Sequence, residues 1–84
     1  LYTLSIKNKN YTELKDFVFR KNLSVYDLDL SYNEIQKISN FAFKNLQNLK
    51  NLWLSFNKLT SLKEILISIT LAGIDTLTRL SVES

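Results

Sequence analysis

The amino-acid sequence predicts an α/β fold: a solenoid of stacked repeats with parallel strands, connecting loops and one short helix. Three observations carry this expectation. A pattern of six slots, Leu49, Leu52, Leu54, Asn57, Leu59 and Leu62, recurs 24 residues earlier as Val25, Leu28, Leu30, Asn33, Ile35 and Ile38, and 24 earlier again as Leu1, Leu4, Ile6, Lys9, Tyr11 and Leu14. Self-similarity at a fixed period of about 20–50 residues is the signature of stacked repeat units. The opening of each copy alternates apolar and polar residues, which suits a half-buried strand. Finally, a chain of 84 residues has little core of its own as a globule, whereas stacked coils bury each face on a neighbour.

The elements follow in chain order. Residues 1–6 read as a strand with Leu1, Leu4 and Ile6 inward and Thr3, Ser5 and Lys7 outward. Tyr11 and Leu14 are expected to continue the core, with Phe17 and Phe19 on the outer arc; residues 12–20 carry a weak helical-turn pattern. Residues 25–30 are the second strand. Asn33 follows, with an amide that both donates and accepts hydrogen bonds. Lys9 fills that slot in the first copy and has no acceptor, leaving Asn8 or Asn10 as substitutes. Ile35 and Ile38 are core positions, and Phe41 and Phe43 repeat Phe17 and Phe19. Residues 49–54 are the third strand. Next, Ser61 to Glu64 has the S-x-x-E form of a capping box. Leu62, Ile65, Leu66 and Ile69 have helical spacing, and Gly73 is placed to close the helix. Leu77, Leu80 and Val82 open a fourth strand, Leu80 lying 28 residues after Leu52. The longer step suits a helix in the third arc. The repeats are therefore 1–24, 25–48, 49–76 and a partial 77–84, read as an uncapped segment of a longer coil.

The pattern L-x-x-L-x-L-x-x-N-x-L at residues 49–59, preceded by F-x-x-L-x-x-L through Phe43, Leu46 and Leu49, resembles the leucine-rich repeat family. The match is to its 24-residue extracellular class, similar to Toll-like receptor ectodomains and secreted innate-immune repeat proteins. The resemblance covers nearly the whole chain and departs from the pattern at Lys9. It implies a right-handed leucine-rich repeat solenoid with the parallel β-sheet on its concave side and loops on its convex side. It implies, too, a non-enzymatic protein-recognition module that binds another protein through its concave face, in an extracellular or secreted, immune-type protein. It also implies that Asn33 and Asn57 are adjacent rungs of an asparagine ladder. Two other functions fit the same residues: an intracellular, cytoplasmic scaffold or adaptor, and a structural spacer.

Composition narrows the chemistry. The net charge is +3, but the lysines are scattered instead of lying in a phosphate-tracking stripe, so no nucleic-acid partner is expected. The sequence has no His, no Cys and one Gly. It thus lacks the usual general base, the usual transition-metal ligands and a Gly-rich phosphate loop. No catalytic, cofactor-binding or metal residues are expected. The apolar run 65–74 is interrupted by Ser68, Thr70 and Gly73 and is too short to span a bilayer.

Registering the copies puts Thr3, Asp27, Asn51 and Arg79 in one outward column, and Ser5, Asp29, Trp53 and Ser81 in the next. Trp53 is the candidate partner anchor, because aromatics and Arg are enriched at binding hot spots. Around it stand Asp27, Asp29, Asn51, Tyr26, Tyr32, Phe56 and Arg79. The plainer reading is a large residue that covers its neighbours, with Asp27 and Asp29 a solvated acidic patch. Two glycosylation sequons, Asn10-Tyr11-Thr12 and Asn22-Leu23-Ser24, lie off the strands. Bare coil ends are expected to promote self-association.

Overall fold

A computed structural model describes residues 2–19 and 24–83. The expectations for Leu1, Asn22, Leu23 and Ser84 lie outside the described residues. Among the described residues six strands and one helix follow in order: β1 (Tyr2–Ser5), β2 (Glu13–Leu14), β3 (Val25–Asp29), β4 (Lys37–Ile38), β5 (Asn51–Trp53), α1 (Lys63–Ala72) and β6 (Arg79–Ser81). Among the described residues β1, β3, β5 and β6 form a four-stranded parallel sheet in that order, and β2 pairs with β4 in a second, two-stranded one. Parallel pairing follows from the connections, since each strand returns to the same side through a long arc. Leu4 pairs with Leu28, Leu28 with Leu52 and Leu52 with Leu80.

The core lies between the sheet and the arcs. Val25, Leu28, Leu30, Ile35, Ile38, Leu46, Leu49, Leu52 and Leu54 are all buried, and the partly buried Leu4, Ile6, Leu59, Leu77, Leu80 and Val82 pack against them. The two phenylalanine pairs divide. Phe19 and Phe43 are buried, with ring centroids 6.2 Å apart. Phe17 and Phe41 stack at 5.9 Å on the surface. Phe19 is therefore core and not an outer-arc residue.

Five other expectations are corrected. Tyr11 is 46% exposed and Leu62 48% exposed; among the described residues each has a neighbouring arc on one side only. Residues 12–19 form β2 and a turn, with Phe17 at φ 57°, and no helical turn. Pairing with β4 supplies Leu14 with backbone partners that a helix would have had to provide locally. Helix α1 forms, but its capping box does not. Leu62 is the N-cap, with no side-chain cap, and Glu64 instead accepts the N–H of Ile38 in the neighbouring coil at 3.4 Å. Of the four positions given helical spacing, Ile65 and Ile69 are buried and Leu66 faces solvent. Ser68 turns inward in its place and donates to the Ser39 carbonyl at 3.1 Å. Gly73 ends the helix at φ 69°, and Ile74 N–H reaches back to the Ile69 carbonyl.

Two asparagines bind the coils where the chain leaves the sheet. The Asn33 amide donates to the carbonyls of Ile6 and Leu30 at 2.9 and 3.0 Å and accepts the N–H groups of Lys9 and Tyr11. Asn57 donates to Leu30 and Leu54 at 3.0 Å each and accepts from Ile35. The Leu30 carbonyl is thus shared by both side chains. In the first coil Lys9 contributes its backbone N–H to Asn33, while Asn8 and Asn10 are exposed with φ 59° and 62°. The residues just before the two asparagines, Tyr32 and Phe56, also have positive φ, 58° and 60°. This turn repeats in the same column as Asn8, and bulky residues rarely adopt it.

Candidate functional site

The outward face of the sheet is built by period-two alternation. With Leu28 and Leu52 inward, their strand neighbours must point away from the core. The register sets Thr3 beside Asp27, Asp27 beside Asn51 and Asn51 beside Arg79. One step along each strand pair, Ser5, Asp29, Trp53 and Ser81 form the parallel row.

Trp53 lies partly buried at the centre of this face. Its register partner is Asp29, but its indole N–H donates diagonally to Asp27 Oδ1 at 2.7 Å. The Arg79 guanidinium lies over the indole, 5.7 Å from the ring centroid, within range of a cation–π contact. Three strands therefore hold one ring between a carboxylate and a guanidinium. Asp29 uses Oδ1 to accept the Ser31 N–H at 2.9 Å, a local turn bond typical of aspartate. A carboxylate has two oxygens, and both aspartates are partly exposed.

The remaining candidates flank this centre. Tyr26 lies at the entry end of the strands, lining a groove with Asn48, Lys50 and Thr76. Tyr32 and Phe56 lie at the exit end, where their exposed rings stack with centroids 4.7 Å apart. The structure thus gathers Trp53, Asp27, Asp29, Asn51 and Arg79 in one patch and places the three other aromatics at its two borders. Asn10 is exposed along with Tyr11 and Thr12, whereas Asn22 lies outside the described residues.

Two features were not singled out from sequence. Ser55 and Ser81 hydroxyls meet at 2.6 Å, and Ser55 Oγ also accepts the Glu83 N–H. These residues occupy different columns, and nothing in the pattern signals a diagonal contact. The groove beside Tyr26 joins an arc residue, Asn48, to Thr76, whose hydroxyl donates to the Leu49 carbonyl at 2.6 Å. That bond depends on how the longer third arc returns to the sheet.

Among the described residues no helix is long and apolar enough to cross a membrane. No curated protein and no solved structure matches the chain. The family model described as Leucine rich repeat matches residues 1–59 and 24–84, overlapping spans that together take in the whole sequence. Proteins of that kind are typically non-enzymatic and mediate protein–protein interaction. Period, parallel pairing and family match agree, and the chain belongs to the leucine-rich repeat family.

Proposed function

We propose that this chain is a protein-recognition segment of an extracellular, immune-type leucine-rich repeat protein, binding its partner through the sheet face centred on Trp53. The observation that carries this reading is the fixing of the Trp53 ring by Asp27 on one side and Arg79 on the other. An aromatic anchor already held in one orientation loses little freedom on binding, and this is how a few residues come to dominate an interface. The face is taken as concave and the coil as right-handed, following the general hand of parallel crossovers. Support for the extracellular setting comes from the F-x-x-L-x-x-L resemblance through Phe43 and from the exposed sequon at Asn10. Asn51, Tyr26, Tyr32, Phe56 and Asp29 complete the contact surface. A nucleic-acid partner is not proposed, because two aspartates stand at its centre.

The spacer reading has its own support. The same bonds that orient Trp53 also satisfy its polar atom within the chain, as a covering residue would require. Affinity of the wild-type chain and of Trp53→Ala for a captured partner separates the two. A recognition anchor should cost at least about tenfold in Kd, equivalent to about 1.4 kcal/mol. Unchanged affinity would favour the spacer.

A further inference from the structure

From the order of charges across the sheet we infer that the partner segment is itself dipolar. It carries a basic side chain, Lys or Arg, over the β3 aspartates and an acidic side chain over Arg79, with Trp53 between them. This rests on the recognition reading above and adds the chemistry of its occupant. Asp27 and Asp29 stand two residues apart on β3, on the same face. Arg79 stands two strands away in the Asp27 row, with Asn51 between. Adjacent strands are about 4.8 Å apart, so the backbones that carry the opposite charges are on the order of 10 Å apart. The ground between them is aromatic and uncharged: the Trp53 ring and the Asn51 amide.

The internal bonds leave this charge order available. Asp27 and Asp29 each use Oδ1 in a hydrogen bond from a neutral N–H, that of Trp53 and that of Ser31. Neither bond cancels the carboxylate charge. A basic side chain laid beside Trp53 would meet a carboxylate and the ring together, a pairing that suits Lys and Arg. Arg79 presents a planar fork of five N–H donors, matched to a carboxylate. It is exposed, although its guanidinium lies over the indole. The net charge of the chain is +3, so the acidic end of this face runs against the overall balance. A purely acidic partner drawn by net charge would be repelled at β3, and a purely basic one at Arg79. Like charges brought together in this way confer specificity.

The test uses random twelve-residue peptides displayed on phage, selected on the 84-residue chain and counter-screened against Trp53→Ala. The peptides kept by the wild type and lost by the variant are sequenced and measured by fluorescence anisotropy. The expected result is joint enrichment of a basic and an acidic residue, with Kd weakening as salt is raised. The double variant Asp27→Asn, Asp29→Asn keeps an acceptor oxygen at both bonds and removes both charges. It should weaken these peptides at least about tenfold and erase the basic enrichment; Arg79→Gln should erase the acidic one. Trp53-dependent peptides lacking a basic residue, or indifferent to the double variant, would overturn the dipolar partner while leaving the recognition face intact. If no peptide distinguishes wild type from Trp53→Ala, the recognition reading fails and takes this inference with it. Circular dichroism of each variant confirms that it is folded.

Discussion

Replacing Asn57 by alanine tests the physical basis of the coil most directly. The Asn57 amide accepts the Ile35 N–H at 3.0 Å and donates to the Leu30 and Leu54 carbonyls. Ile35 is fully buried, so its N–H would be left without this partner. The Leu54 carbonyl would lose a donor, while Leu30 would keep Asn33. An unsatisfied buried group costs about 1–3 kcal/mol. Asn57 is only partly buried, and water replacing some of its bonds places the total near the middle of that range, about 2 kcal/mol. For a domain of this size that corresponds to a fall in Tm of about 8–16 °C. Urea unfolding followed by far-ultraviolet circular dichroism gives the free energy. Asn57→Asp sharpens the test, because it keeps the acceptor for Ile35 but turns an oxygen toward two carbonyls. Aspartate should therefore be at least as damaging as alanine, despite its nearly equal shape. A loss below about 0.5 kcal/mol for alanine, or wild-type stability for aspartate, would show that the amide does not hold the coils together.

Three further outcomes are expected. In α1, Ile65→Ala should cost about 2–5 kcal/mol, since the side chain is fully buried, whereas Leu66→Ala should stay within about 0.5 kcal/mol; equal losses in chemical denaturation would refute the orientation of the helix. Gly73→Ala should lower stability by about 1–2 kcal/mol: a Cβ there has open space but must be carried at φ 69°. A neutral result by thermal melting would show that the helix closes some other way. On secretion from a eukaryotic cell, the chain should lose mass on N-glycosidase treatment, and Asn10→Gln should remove the glycan of the exposed sequon. A mass unchanged by Asn10→Gln would sink that assignment.

Much of the fold is legible in the residues because the repeat converts sequence distance into spatial adjacency. Once Leu4, Leu28 and Leu52 share a slot, their strands must lie side by side and the outward columns follow. Sequence alone thus placed Asp27, Asn51 and Arg79 in one row, and Asp29 and Trp53 in the next. The misses fall where this rule gives no information. Tyr11 and Leu62 occupy core slots by pattern, but among the described residues a neighbouring arc covers each on one side only. Glu64 satisfies the spacing of a capping box, yet another coil offers it the Ile38 N–H. Leu66 and Ser68 exchange places because the helix is oriented by what it packs on, including the Ser39 carbonyl.

By itself, then, the sequence determined the period, the parallel register and the residues on the sheet face, because each depends on a count of positions along the chain. The tertiary structure alone decided that the Trp53 indole reaches Asp27 and not its register partner, that Arg79 lies over the same ring, and that α1 presents Ser68 and not Leu66 to the core. These are choices of side-chain direction. They are set by competition among neighbours that only the folded coil brings within reach, and no spacing rule records which neighbour wins.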